Sequence, residues 1–170
     1  MGRVFAGLRR KGGDPMVWHS VRVGRLVSKR GGDAVCTFAG YAHDTLEDTD
    51  VDERRLLDVA AQVLGDRDLA REAVLLVREC SYSEHECAMS RDERKASACA
   101  RWTDTEDSRV HLVKACDVDD NARDMKGSPP GFREGYLTWA APFRENLGRR
   151  LHEAGIMPAM YDDAAIVLVP

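Results

Sequence analysis

Between Tyr41 and Thr49 the chain reads Tyr-Ala-His-Asp-Thr-Leu-Glu-Asp-Thr, which places His43, Asp44, Glu47 and Asp48 within two helical turns. On an α-helix adjacent side chains diverge by about 100°, yet His43 and Asp44 can both reach one ion lying against the helix flank. Glu47 follows His43 by one turn, and Asp48 follows Asp44 by one turn. Three acids and a histidine on a helix that must otherwise bury apolar surface are costly unless a cation offsets them. Two distant segments can complete such a site. His19 sits among Val17, Trp18 and Val21, and Asp117 follows Val113-Lys114-Ala115-Cys116, with Asn121 one turn later. Two imidazoles and two carboxylates suit a divalent ion such as Mn²⁺, Fe²⁺, Co²⁺ or Zn²⁺. Water at an open position of that ion becomes a nucleophile, and Glu47 and Asp48 lie beyond the ligands to orient or deprotonate it. Each piece alone has a plainer reading, as a core histidine, a helix cap or a solvated acid. Their order and helical context together favour the metal site.

The elements that must position these residues are mostly helical. Asp14-Pro15 reads as a helix start, with a capping Asp and Pro at the first helical position, and the helix runs to about Arg30 before Gly31-Gly32. Residues 34–48 read as a second helix carrying the acidic motif. Asp52 caps a third through Leu64, closed by Gly65. Residues 66–80 form a fourth, with Ala70, Ala73, Val74 and Val77 on one face. The stretch 81–89 is polar and irregular, Ser90 and Glu93 make a capping box for a fifth helix, and 108–125 a sixth. After the Gly127-Ser128-Pro129-Pro130-Gly131 loop, a long helix runs from about Phe132 to Glu153, with Pro142 a candidate kink. The expected fold is an all-α, single-domain bundle over residues 1–155, with 156–170 a tail whose apolar end forms a short strand or a packed arm. GxGxxG, GxxxxGK[ST] and GxSxG motifs are absent, which removes the common dinucleotide, P-loop and serine-hydrolase readings.

Composition narrows the partners. The chain has 170 residues, with 25 Lys plus Arg against 29 Asp plus Glu, a net charge of −4. That balance argues against a nucleic-acid coat. The longest apolar runs, Ala73–Val77 and Ala164–Val169, are far too short for a bilayer, and the first residues lack the apolar stretch of a signal peptide. Ala6 stands where a myristoylation motif needs Ser or Thr. Five cysteines with no Cys-x-x-Cys pair point to free thiols in a reducing cytoplasm.

The motifs resemble the HD superfamily of metal-dependent phosphohydrolases, with its H…HD…D pattern. The resemblance is closest to the hydrolase domain of RelA/SpoT-type alarmone enzymes and their small stand-alone relatives. His43-Asp44-Thr45-Leu46-Glu47-Asp48-Thr49 resembles that family's HDxxEDT segment. Lys114-Ala115-Cys116-Asp117-Val118-Asp119-Asp120-Asn121-Ala122-Arg123-Asp124 resembles KxxDxxxNxRD. The basic opening Leu8-Arg9-Arg10-Lys11 before Trp18-His19, and Tyr136-Leu137-Thr138-Trp139, are similar too. The resemblance implies an HD-type helical fold, with one Mn²⁺ on His19, His43, Asp44 and Asp117. It implies Glu47 and Asp48 as water-activating acids, and Arg10, Lys11, Lys95, Asn121 and Tyr136 as nucleotide contacts. The implied reaction removes pyrophosphate from the 3′ position of guanosine tetra- or pentaphosphate, a small-molecule nucleotide substrate.

Some positions depart from the family pattern. Ser20 replaces a Pro after the first ligand histidine, Arg133 is one residue from where a phosphate-binding Arg is expected, and residues 79–107 are longer and richer in Cys and acids. Asp119-Asp120 replaces a more basic and apolar pair, which reads as a more acidic site mouth. That last departure favours a second reading, an HD phosphatase on a nucleoside monophosphate or the 2′-phosphate of NADPH. A third is a nucleotide-binding regulator without catalysis. A fourth, a two-iron HD oxygenase, needs further ligands. His85 and His111 are the candidates, and both are expected to face solvent.

Overall fold

The helix signals resolve into nine helical segments in the computed structural model, which describes residues 7–10, 13–125 and 128–156. They are α1 (Met16–Lys29), α2 (Ala34–Ala42), α3 (Thr45–Asp48), α4 (Glu53–Leu64), α5 (Arg67–Cys80), α6 (Glu84–Cys87), α7 (Arg91–Asp104), α8 (Ser108–Asp124) and α9 (Pro130–Glu153). Among the described residues there is no strand, only an isolated antiparallel bridge between Arg9 and Pro15. The fold is therefore all-α. Residues 157–170, with the expected strand or arm, lie outside the described residues, as does Lys11.

Local chemistry explains most boundaries. Asp52 accepts from the Arg55 amide at 2.8 Å, and Gly65 ends α4 at φ 70°, a left-handed value that suits glycine. Asp33 and Asp66 cap α2 and α5 in the same way as Asp52 caps α4. At α1 the expectation shifts by one residue: Pro15 is itself the N-cap, and no side chain caps the helix. α9 starts at Pro130 and continues through Pro142. The stretch expected to be irregular contains the single turn α6, opened by a Ser83/Glu86 capping box at its N-terminus.

The second expected helix is two helices. α2 ends at Ala42 and α3 begins at Thr45, and the dipeptide between them is His43-Asp44. His43 keeps helical angles, whereas Asp44 sits at φ −92°, ψ −1°. Asp44 leaves regular helical angles at the point where its carboxylate approaches His43 Nε2 to 3.0 Å.

α2 lies between α1 and α5, α8 packs against α1, α2 and α5, and α9 covers α8. Val23, Val27, Phe38, Ala39, Val77 and Val113 are among the buried residues that meet at the centre. α1 and α2 cross closely because glycines face each other. A Cβ on Gly40 would lie 2.9 Å from Val27 Cγ2 and 3.1 Å from Gly24 Cα. This close crossing brings His19 on α1 beside His43 at the end of α2.

Candidate metal centre

Four donor groups from three elements converge at the base of a cleft. His19 Nε2 and His43 Nε2 are 3.2 Å apart. Asp44 places Oδ1 3.0 Å from His43 Nε2 and Oδ2 3.5 Å from His19 Nε2. Asp117 Oδ1 is 3.1 Å from His19 Nε2 and 3.6 Å from His43 Nε2. His19, His43 and Asp44 alone satisfy the spacing of a metal-binding trio.

The outward sides of both rings fix which nitrogen is free. His43 Nδ1 lies 3.0 Å from the Gly40 carbonyl, and His19 Nδ1 lies 2.7 Å from Asp120 Oδ2. Each partner only accepts, so each Nδ1 carries a hydrogen and each Nε2 is the nitrogen turned to the centre, where a proton or a metal cation would sit. The cluster also calls for positive charge. Burial favours neutral imidazole at His43, but Asp44 and Asp117 outweigh it and push His43 up to about 10. Burial would likewise raise Asp117, yet Lys114 and the two histidines hold it well below the usual carboxylate range. Two imidazole nitrogens and two carboxylates facing one point fit a divalent cation.

The cleft above has a volume of about 780 Å³. Glu47 and Asp48 open onto it from α3, and Glu47 Oε1 accepts from the Tyr82 amide at 3.0 Å. Enclosure in the cleft and the nearby Asp44 and Asp48 carboxylates push Glu47 up to about 7, against the pull of Lys114. Arg10 lines the mouth, and its amide donates to Asp14 O at 2.9 Å. Its guanidinium meets the Asn121 side chain and lies 2.9 Å from Asp124 Oδ2, while Asn121 Nδ2 donates to Asp117 Oδ1 at 2.6 Å. Lys95 lines the opposite wall with Nζ 3.3 Å from the Trp139 ring centre, and Tyr136 packs edge-on against Trp139. Nine of the eleven expected site residues thus line one cleft, and His43 lies buried behind it against His19, Asp44 and Asp117.

Sequence reasoning missed several neighbours. Lys114 is buried, 3.1 Å from Asp117 Oδ2 and 4.0 Å from the Trp102 ring centre. Its spacing of three residues from Asp117 was the available signal. Arg91, Arg94 and Tyr82 join the wall from the long segment between α5 and α8.

Two expectations are corrected. Asp119 and Asp120 are not at the mouth: both are buried, Asp119 against Arg30 and Arg144, Asp120 against His19 and Arg22. His111 is buried rather than solvent-facing, while His85 is exposed as expected, and neither joins the metal-spaced group among the described residues. Ser20 is buried too, and its hydroxyl has no partner among the described residues. Arg133 is exposed.

The all-α fold and the sequence motifs are similar to those of HD-type helical domains of the RelA/SpoT hydrolase kind. A metazoan SpoT ortholog described as hydrolysing ppGpp is similar in structure, with TM-score 0.64 and 22% identity over 92% of both chains. A Listeria monocytogenes EGD-e protein is similar at TM-score 0.61 and 19% identity, covering 92% of this chain and 94% of that one. At these identities the likeness is one of fold. In sequence, 48 residues are 44% identical to a probable guanosine-3′,5′-bis(diphosphate) 3′-pyrophosphohydrolase of Synechocystis, covering 28% of this chain and 6% of that protein. A stretch of 134 residues is 26% identical to a probable chloroplastic GTP diphosphokinase of rice, covering 75% of this chain and 17% of the relative. The chain thus spans only a small part of these curated relatives. No family model matches it.

Proposed function

We propose that this chain hydrolyses the 3′-pyrophosphate of guanosine tetra- or pentaphosphate, yielding GDP or GTP and pyrophosphate, with Mn²⁺ as its cofactor. The observation that carries the reading is the convergence of His19, His43, Asp44 and Asp117 beneath a cleft whose walls bear Arg9, Arg10, Arg91, Arg94 and Lys95. The similarity to probable and described ppGpp hydrolases supports the same substrate class.

In this reading His19, His43, Asp44 and Asp117 hold the cation. When bound, it supplies Lewis acidity toward water and the phosphate oxygens. Glu47, steadied by the Tyr82 amide, and Asp48 orient the attacking water and take its proton. The water oxygen forms the new bond to phosphorus, the 3′ O–P bond breaks, and the ribose oxygen leaves as a hydroxyl, taking up the proton that the acids accepted from the water. The wall cations neutralise charge on the equatorial oxygens. Arg10, Asn121 and Tyr136 contact the nucleotide, together with Lys11.

The acidic mouth that favoured a nucleoside monophosphate or NADPH as substrate is removed by the burial of Asp119 and Asp120. No described helix is long and apolar enough to cross a membrane, and the free thiols, with Cys36, Cys80 and Cys116 buried, suit a reducing cytoplasm. The test is product analysis with guanosine tetraphosphate and Mn²⁺, with an EDTA control. Metal-dependent release of GDP and pyrophosphate is expected. Metal binding without release would move the substrate to another phosphorylated nucleotide.

A further inference from the structure

We propose that Asp120 is a positioning residue for the metal centre: backed by Arg22, it locks His19 with Nε2 aimed at the cation site. The inference rests on the metal-site reading above.

Asp120 is fully buried, with 0% exposure. Its Oδ2 is 2.7 Å from His19 Nδ1. Its other oxygen receives Arg22 Nε at 2.6 Å, and Arg22 Nη2 reaches Oδ2 at 3.0 Å. Both oxygens are thus engaged on opposite sides, so the carboxylate cannot rotate away from the imidazole. A carboxylate only accepts, so the nitrogen facing it keeps its hydrogen and the lone pair falls on Nε2. The anchor is itself held: Arg22 Nη2 lies 3.1 and 3.2 Å from the Asp124 oxygens, and Asp124 takes Arg10 at 2.9 Å. The two ligand histidines are therefore supported unequally. His43 donates to a neutral carbonyl, His19 to a charged carboxylate, which raises the basicity of the metal-facing nitrogen. Asp119, next in the chain, is the natural control. It is also buried in a double arginine pair, with Arg30 and Arg144, but these pairs tie it to neither histidine.

The experiment measures the Mn²⁺ dissociation constant of the full chain from the electron paramagnetic resonance of free Mn²⁺. It compares wild type, Asp120→Asn, Arg22→Gln and Asp119→Asn, with thermal melts in EDTA to check folding. Loss of such a supporting carboxylate weakens metal binding about 10- to 100-fold. That is the result expected for Asp120→Asn, with a smaller loss for Arg22→Gln and none for Asp119→Asn. Unchanged affinity in Asp120→Asn overturns the proposal. So does an equal loss in Asp119→Asn, which would reveal general loosening of buried ion pairs. If Asp120→Asn does not fold, Arg22→Gln decides, because Arg22 is one-third exposed at 33%; unchanged affinity there overturns the proposal. Wild type that binds no Mn²⁺ would instead remove the metal-site reading and the inference with it.

Discussion

Glu86→Gln probes how the long segment between α5 and α8 is fastened to the wall of the cleft. Glu86 is 2% exposed and binds Arg101 through both oxygens, at 3.1 Å to Nε and 2.8 Å to Nη2. Arg101 also reaches the carbonyls of Glu79 and Ser81 at 2.9 and 2.7 Å, so one pair ties the end of α5 to α6 and α7. That tie frames Tyr82, whose amide holds Glu47. Burial alone would raise the Glu86 carboxyl, but Arg101 and the Ser83 amide hold it at about 2 against an ordinary 4.5. The folded value lies below the unfolded one. The stabilisation is therefore present above pH 4.5 and lost as pH falls from 4.5 through about 2. At about 1.4 kcal/mol per unit the shift corresponds to roughly 3 kcal/mol at neutral pH. Solvent screening at Arg101, 32% exposed, brings this toward about 2 kcal/mol. Urea unfolding of wild type and Glu86→Gln is the assay. The variant is expected to lose about 2–3 kcal/mol at pH 7, with the gap shrinking to about half or less at pH 3. A gap that does not change with pH, or one below about 0.5 kcal/mol at pH 7, would refute the claim that charge at Glu86 holds the segment.

Three other perturbations test the centre and its frame. Asp44→Ala removes the carboxylate that lies against both His19 and His43 and is expected to abolish Mn²⁺ binding in equilibrium dialysis; retained binding would displace Asp44 from the site. Glu47→Gln is expected to keep Mn²⁺ but lose about 10²- to 10⁴-fold in turnover of guanosine tetraphosphate, and full activity would exclude it from the mechanism. Gly40→Ala forces a methyl against Val27 and the Gly24 backbone, with an expected cost of about 1–3 kcal/mol in thermal or urea unfolding. Because the Gly40 carbonyl also holds His43 Nδ1, the same variant should weaken Mn²⁺ binding.

What was legible in the sequence follows from how far each signal reaches along the chain. Caps such as Asp52 and Gly65 act within one turn, and the structure places both as read. The break at His43-Asp44 was not legible, because nothing in Phe-Ala-Gly-Tyr-Ala-His-Asp-Thr-Leu stops a helix. The break coincides with the place where these two adjacent side chains meet at 3.0 Å. The convergence of His19, His43, Asp44 and Asp117 was legible because the motif carries unusual residues at fixed spacing. Tyr82 was missed because its role depends on packing between elements distant in sequence, whereas Lys114 stands one helical turn before Asp117 and could have been read from that spacing.

Asp119 and Asp120 show the limit most clearly. Two adjacent acids ordinarily read as solvated, since a buried carboxylate must be paired. Here their neighbours in sequence do not supply the pairing. Arg22, 98 residues before Asp120, faces it across the α1–α8 contact, and Arg144, 25 residues after Asp119, faces that acid from α9. On a helix the two carboxylates diverge by about 100°, so each finds a different wall of cations. One wall closes the α8–α9 packing and the other presses on a ligand histidine. A pair that first read as an altered substrate mouth thus belongs to the support beneath the cleft. The acidic residues that do face the cleft are Asp44, Glu47, Asp48 and Asp117, with Asp14 and Asp124 near Arg10. In the proposed reaction, cations on the walls would meet the negative charge of the phosphates, while the acids concentrated at the base would hold the metal and orient the water.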